Sequence, residues 1–352
     1  MIFDVAIVGA GPAGSSVAYG LEKEDHEIVI IDKEKFPRDK PCAGVLPPRI
    51  HSEMDLPEEL IERRLEGYRI YSPTGFMVES DFSNKGAIVS RYKLDRFLVN
   101  RLNNEVKHER ILDFKIKDDF VEVHGEKETY KSKLVVGADG VNSIVNKKCF
   151  DFPSEPYPKA TAAQFVISLP KEKIDRLIGN WFEVYYSIPY GYGWISPQRA
   201  SIKVGVGGTS NEFKKNVKSV LNKFMKHELV KEKIEGGSIQ KMEAHLIPMG
   251  GPIHTHANDR TLLVGDAGGF VFPGTGEGIY YAIKSGRIAA GVIHQALKNE
   301  RYSGNFLGKL YEGALKENGL SSLREVDFIE NVLSTPDRAE KYVRKLQKLA
   351  VE

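Results

Sequence analysis

The sequence predicts an α/β protein in which a parallel-sheet domain, discontinuous in the chain, carries an inserted antiparallel-sheet domain and ends in a short helical C-terminus. Three observations predict it. Two apolar strands, Ile2–Val8 and Glu27–Asp32, flank a glycine turn and a helix over 13–22, which makes a βαβ unit with buried parallel strands. Between 155 and 247 the texture changes to long alternating segments, the pattern of an antiparallel sheet. At Leu262–Gly265 the continuous apolar texture returns, so the first domain resumes after the insertion.

The remaining elements follow from local pattern. Lys33–Pro48 mixes Pro37, Pro41 and Gly44 with charged residues and reads as a loop. Alternating stretches at Tyr68–Tyr71 and Ile88–Val89 precede a helical pattern over Tyr92–Leu102. Ile111–Glu128 reads as a strand pair, and Lys133–Gly137 as another buried strand. The insertion offers strands at Ala160–Leu169, Trp181–Ser187, Tyr190–Ile195, Ile202–Gly208 and Ser238–Ile247, with one helix over Glu212–Leu229. A long helix is expected over 277–297, and 305–349 is helical in pattern and basic over Lys341–Lys348. The expected domains are 1–154 with 248–300, then 155–247, then a helical region over 301–352.

The 352 residues, 41% hydrophobic, suffice for two domains with substantial cores. Lys and Arg total 50 against 48 Asp and Glu, and a net charge of +2 gives no case for a nucleic-acid partner. Only Cys42 and Cys149 occur, in unlike contexts, which argues against a disulfide framework or a cysteine metal site and for a cytoplasmic setting. No basic leader precedes the first strand and no apolar run approaches ~18 residues, so neither secretion nor a membrane span is expected. The nine histidines form no metal-binding pair; His254 and His256 read as solvated loop residues, and no metal is expected. No Gly-x-Ser-x-Gly elbow or Walker loop occurs, which removes the usual hydrolase and NTPase readings.

Gly9-x-Gly11-x-x-Gly14 follows a strand and opens a helix, and Asp32 ends the next strand 18 positions after Gly14. In that context the motif is a Rossmann-type dinucleotide fingerprint. Gly9 permits the tight turn, Gly11 and Ala13 border the approach of a pyrophosphate, Gly14 allows close packing, and Asp32 accepts hydrogen bonds from a ribose. Two further turns follow buried strands: Val136-Gly137-Ala138-Asp139-Gly140 and Leu263-Val264-Gly265-Asp266-Ala267. Either alone reads equally well as a turn capped by its Asp.

The three motifs in this order resemble the FAD-dependent oxidoreductases of the para-hydroxybenzoate hydroxylase type. The resemblance implies FAD as cofactor. It implies contacts from Gly265 and Asp266 to the ribitol chain and adjoining pyrophosphate, and a place near the pyrophosphate for Asp139. Ser90-Arg91-Tyr92-Lys93-Leu94-Asp95 resembles an element of that family whose Arg reaches the cofactor, which would make Arg91 a FAD contact. A helix-capping Arg, or one paired with Asp95, is the alternative. Leu112 is a candidate backbone contact to adenine.

Within that group, Gly268-Gly269-Phe270-Val271-Phe272-Pro273-Gly274-Thr275-Gly276-Glu277-Gly278-Ile279, with Ala282, Ser285-Gly286 and Ala289-Ala290, resembles the geranylgeranyl reductase family over most of residues 1–297. That implies saturation of isoprenoid double bonds in lipid, chlorophyll or quinone tails by hydride transfer from reduced flavin. N–H groups from Gly276 through Gly278 to Ile279, at a helix N-terminus, suit the negative charge of a reduced flavin ring. Pro37 to Leu46 resembles the family's cysteine loop beside the flavin, with Ala43 where glycine is usual. Cys42, Ala43 and Val45 are then expected at the cofactor, with Cys42 as a proton donor or substrate-positioning group. A small, buried hydrophobe with only backbone contacts to FAD is the alternative for Cys42, and Cys149 reads as structural.

Tyr190 to Pro197 resembles the family's Tyr-x-Trp-x-Phe-Pro element, with Ser196 in place of the aromatic. Tyr192 and Trp194 are candidates for an apolar prenyl pocket, or else ordinary core. The partners implied are a prenyl lipid and an electron donor that is a nicotinamide, a deazaflavin or a ferredoxin, with peripheral membrane contact through the basic tail. An aromatic monooxygenase and a flavin electron carrier are the competing readings.

Overall fold

The computed structural model describes residues 1–150, 159–249, 255–325 and 328–349. Up to residue 150 the strands are β1 (Phe3–Val8), β2 (Ile28–Asp32), β3 (Val45–Leu46), β4 (Ile61–Tyr71), β5 (Met77–Val89), β6 (Lys107–His108), β7 (Ile111–Ile116), β8 (Val121–Gly125) and β9 (Thr129–Gly137). The helices there are α1 (Pro12–Glu22), α2 (Arg91–Asn100) and α3 (Ile144–Cys149). Next come β10 (Lys159–Ser168), α4 (Lys171–Leu177), β11 (Trp181–Tyr185), β12 (Gly191–Pro197), β13 (Ser201–Gly208), α5 (Asn211–Met225), α6 (Glu228–Ile234) and β14 (Ser238–Pro248). The chain continues with β15 (Ala257–Asn258), β16 (Thr261–Leu263), α7 (Ile279–Lys298), α8 (Gly304–Glu317) and α9 (Pro336–Leu349).

These elements form two compact units. The first comprises Met1–Asp39, Tyr92–Pro158 and Pro248–Val326, and the second Lys40–Arg91, Lys159–Ile247 and Asp327–Glu352. The sequence reading put 40–91 with the first domain and 327–352 in a separate C-terminal region, whereas both belong to the second unit. Strand pairing explains the first difference: β4 runs parallel to β11 and antiparallel to β5, and β3 pairs with β5. The stretches at Tyr68–Tyr71 and Ile88–Val89 are the legible ends of strands of 11 and 13 residues. For α9 the cause is side-chain contact, since Glu340 accepts from the Thr74 hydroxyl at 2.9 Å and Arg344 lies over the Phe76 ring.

In the first unit the sheet order is β15-β16-β9-β1-β2-β6, with the β7–β8 pair joined through β9. β16, β9, β1, β2 and β6 are parallel neighbours, and Val5, Ala6, Ile7, Ile30, Ile31, Leu134, Val135 and Val136 in the central strands are buried. Such two-sided burial gives the unbroken apolar runs seen in the sequence. Helices α1 and α7 meet along small residues. An added Cβ at Gly20 would stand 2.7 Å from the Ala290 Cβ, and one at Gly286 would overlap the Ala13 carbonyl oxygen.

The second unit is built on the sheet β14-β10-β13-β12-β11-β4-β5-β3, in which β11 and β4 are parallel and the pairs β10–β13, β13–β12, β12–β11, β4–β5 and β5–β3 are antiparallel. One face is closed by Phe213, Val220, Leu221 and Phe224 of α5, whose rings occupy the space that side chains at Gly191 and Gly193 would fill. The single helix expected over Glu212–Leu229 is two helices, because His227 has extended backbone and caps α6. On the same face the fully buried Glu183 accepts from Lys233 Nζ at 2.6 and 2.7 Å and from the Tyr185 hydroxyl at 2.6 Å. Stacked rings of Tyr71 and Tyr185, 4.7 Å apart, flank that pair. A buried carboxylate is tolerated only when satisfied in this way.

Two glycines of α7 test the helix contact. Gly291 has open space around its Cβ direction, so Gly291→Ala should stabilise by about 0.5–1 kcal/mol through helix propensity. Gly286→Ala gains the same propensity but forces Cβ onto the α1 backbone, and should cost a net 1–3 kcal/mol or so. Opposite shifts of melting temperature in the two variants are the expected result.

Candidate functional site

The first unit gathers most of the predicted cofactor residues around the N-terminus of α1. Gly9 has φ 104°, and an added Cβ would overlap the Ala138 carbonyl, so only glycine lets β1 turn so close to the β9 end. Gly14 is pressed in turn against the Gly9 carbonyl. The Gly9 N–H donates to Ile31 O at 2.7 Å and the Ala10 N–H to Asp32 Oδ2 at 2.8 Å, which fixes the turn against the end of β2. The first bond of α1 runs from Ser15 N–H to Gly11 O, so the N–H groups of Ala13 and Gly14 precede the helical ladder and point out of its positive end.

Asp32, buried and at the C-terminal end of β2, also accepts from the Glu34 N–H at 2.9 Å. Arg38 joins it to Asp95, with Nη1 3.4 Å from Asp32 and Nε 3.2 Å from Asp95 Oδ2. Its Nη2 would lie 3.0 Å from a Cβ at Gly11, and its guanidinium stands over the Phe36 ring. The sequence reading gave Arg38 no place at this turn. The available signal was a lone Arg in the loop directly after the strand that ends in Asp32.

The two later motifs meet the same turn. An added Cβ at Gly265, which has φ 56°, would stand 2.8 Å from the Ala13 Cβ, and the Gly265 N–H donates to Ser285 Oγ at 3.0 Å. Asp266 is half-buried, and its Oδ1 would be 3.5 Å from a Cβ at Gly278. Asp139 directs Oδ2 to the N–H groups of Ile144 and Val145, at 2.6 and 3.4 Å, while its enclosed Oδ1 has no hydrogen-bond partner. Burial holds the Asp139 carboxyl above the usual range, opposed by the Ser143 hydroxyl and those N–H groups. At α7 the Gly276 N–H is committed to Phe272 O at 2.9 Å, and the first helical bond runs from Ala282 N–H to Gly278 O. The N–H groups of Gly278 and Ile279 therefore precede the ladder, and that of Gly276 does not point outward with them. A cradle formed by backbone where side chains cannot fit, with two helix N-termini, fits a dinucleotide with a pyrophosphate.

Leu112 stands apart on the same unit. It is 49% exposed, at a break in register between Ile111 and Asp113 in the β7–β8 pair. Arg91, Cys42, Ala43, Val45, Tyr192 and Trp194 all belong to the second unit. Arg91 is buried at the first position of α2.

In the second unit the half-buried Cys42 lies in a turn whose Gly44 has φ 84° and whose Gly44 N–H donates to Cys42 Sγ at 3.3 Å. The Cys42 carbonyl accepts from Lys203 Nζ at 2.6 Å and Gln164 Nε2 at 3.2 Å, and the Ala43 carbonyl from Ser196 Oγ at 3.0 Å. Val45 continues into β3 opposite Ile88. Ser196, the departure from the aromatic motif, is thus a buried donor to the cysteine turn. Tyr192 and Trp194 are buried on the sheet face opposite α5, where the indole lies over Gly205 and its Nε1 donates to Gln164 Oε1 at 3.3 Å. The aromatic set is wider than the sequence reading: Tyr186 lies 6.4 Å from Tyr192, 5.8 Å from Phe328 and 6.2 Å from Tyr342. Phe328 and Tyr342 escaped notice because they are remote in sequence from the motif.

Burial pushes the Cys149 thiol up to about 11, in keeping with a structural residue. His254 lies outside the described residues. His256 is buried, against expectation, with Nδ1 2.7 Å from Glu312 Oε1 and its ring stacked on Phe270. Among the described residues no group of three or more acidic, His or Cys side chains could hold a metal ion. None of their helices is long and apolar enough to cross a membrane.

Known proteins bear out the architecture. A family model described as an NAD(P)-binding Rossmann-like domain matches residues 7–37. A geranylgeranyl bacteriochlorophyll reductase-like protein of Thermoplasma acidophilum has the same fold, with a TM-score of 0.80 over 97% of this chain and 91% of that one at 22% identity. The chloroplastic geranylgeranyl diphosphate reductase of Oryza sativa is 34% identical over 82% of this chain and 66% of its own length, so the chain spans about two thirds of that relative. The geranylgeranyl diphosphate reductase of Synechocystis is 35% identical over 83% of this chain and 75% of its own length. Identity at that level along most of both chains shows the family: the protein belongs to the geranylgeranyl reductases, which are FAD-dependent oxidoreductases.

Proposed function

We propose that this protein is an FAD-dependent reductase that saturates carbon–carbon double bonds of a geranylgeranyl or other prenyl chain. The observation that carries the reading is the cradle of the first unit, in which Gly9, Gly14 and Gly265 admit backbone where a Cβ would not fit and the N–H groups of Ala13, Gly14, Gly278 and Ile279 stand ahead of their helical ladders. Its membership in this family favours prenyl reduction over the aromatic monooxygenase and electron-carrier readings.

Reduced FAD supplies a hydride when bound. The chain's own part is to hold and to protonate. Asp32 accepts from the adenosine ribose, while Ala13, Gly14, Gly278 and Ile279 present N–H groups to negative charge. Gly11, Gly265, Asp266, Gly276, Arg91, Ala43, Val45 and the Leu112 backbone complete the set proposed for the cofactor. Tyr192 and Trp194, with Tyr186, offer the prenyl chain an apolar face that keeps water from the reacting carbons. Cys42 is the group proposed to deliver the proton to the second carbon.

The setting proposed is the cytoplasm, with a nicotinamide, deazaflavin or ferredoxin as electron donor. Exposed Lys341 and Lys345 on α9 support contact with an anionic lipid surface. Cosedimentation with anionic but not neutral vesicles is the expected result.

Under anaerobic conditions, chemically reduced protein mixed with geranylgeranyl diphosphate should reoxidise its flavin as the lipid gains two hydrogens per bond; an unchanged lipid mass sinks the reading. Asp32→Ala removes a charged acceptor and should weaken FAD binding about 10- to 100-fold, measured by titration of the apoprotein. Cys42→Ala should keep its FAD and lose roughly 100-fold or more in turnover. Full turnover in that variant would remove the cysteine from the chemistry.

A further inference from the structure

The cysteine turn is held by side chains that come from three different strands. Gln164 on β10 and Trp194 on β12 both stand opposite Gly205 of β13, and Ser196 of β12 stands opposite Lys203 of β13. The pleat therefore puts all four on one sheet face. Gly205 is what lets them converge, because a Cβ there would overlap the Trp194 indole. Lys203 and Gln164 then converge on a single carbonyl, that of Cys42, and Gln164 is itself fixed by Glu243 Oε2 at 2.6 Å and by the indole N–H. Lys241 Nζ lies 2.7 Å from the other oxygen of Glu243. Two donors on one carbonyl oxygen, one of them an ammonium, make a stronger hold than ordinary turn contacts supply.

We propose that Lys203 and Gln164 are positioning residues that lock the Cys42–Ala43 turn onto the sheet, with Gln164 tying that turn to the indole of Trp194. Neither side chain touches the reacting atoms; their task is to fix where the Cys42 thiol sits. The assignment rests on the proposal that Cys42 serves the reduction, but its test does not.

The chain has only two cysteines, one half-buried and one buried, so alkylation followed by mass reads the turn directly. FAD-loaded protein, Lys203→Met, Gln164→Leu and Lys203→Arg would be treated with iodoacetamide and the modification of each cysteine timed. Cys42 should react about 10-fold faster in Lys203→Met, the scale of one lost charge-assisted hydrogen bond, and roughly 2- to 10-fold faster in Gln164→Leu, which loses a neutral one. Cys149 should stay slow, and Lys203→Arg should return Cys42 close to the native rate. An unchanged Cys42 rate in both variants would overturn the proposal, as would an equal acceleration at both cysteines. Should Cys42→Ala retain full turnover while these rates change as expected, the chemical role of the thiol falls and the clamp stands.

Discussion

Everything at the cofactor end depends on how closely four pieces of backbone can approach where side chains are missing. Gly9 lies against the Ala138 carbonyl, Gly14 against Gly9, Gly286 against Ala13, and Gly265 against the Ala13 methyl. Each contact is shorter than a side chain allows, so a methyl group at any of them would push apart elements that must converge. Hydrogen bonds then fix what the absence of side chains permits: Ala10 to Asp32, Gly9 to Ile31, and Gly265 to Ser285. The energetic content is close packing, and the chemical result is a set of N–H groups that helix geometry leaves without partners.

The second unit solves a different problem with the same sheet on both sides. On the α5 face, glycines at 191 and 193 admit the Phe213 and Phe224 rings, and the buried Glu183 is paired with Lys233 and accepts from two tyrosine hydroxyls. On the opposite face, Tyr186, Tyr192 and Trp194 form an apolar surface while Ser196, Gln164 and Lys203 bind the cysteine turn. Burial raises Tyr186 and Tyr192 above the ordinary phenol range, so both hydroxyls stay neutral and the surface carries no charge from them. Along β12, Tyr192, Trp194 and Ser196 share this face, and Gly191, Gly193 and Ile195 between them face α5.

Much of the first unit was legible because its signals are local. The spacing from Gly9 to Gly14 and on to Asp32 encodes one βαβ unit, and the two Asp turns each follow a continuous apolar strand. The reach of the second unit was not legible, because β4 finds its partner β11 more than a hundred residues away and strand pairing leaves no trace in a single sequence. The same reason hid Gln164 and Lys203, whose partners are distant along the chain, and the contact of Arg38 with Asp95. His256 misled for a physical reason: a polar residue in a short connection reads as wet, yet Glu312 on α8 and the Phe270 ring enclose it. The N–H of Gly276 misled in another way, since its commitment to Phe272 depends on a turn that the glycine-rich composition does not specify.

The seam between α1 and α7 also has a meaning in time. Gly9 and Gly14 leave the ribosome well ahead of Gly265, Ser285 and Gly286, which complete their surroundings and follow about 250–275 positions later. At ordinary synthesis rates of about 5–20 residues per second, the turn waits roughly 15–50 s for those partners. During that interval the nascent chain holds an apolar βαβ segment that lacks its covering helix, and β9 arrives well before β16 can flank it. The seam can therefore close only after α7 has been made, and the N-terminal βαβ unit waits for the helix that packs along it.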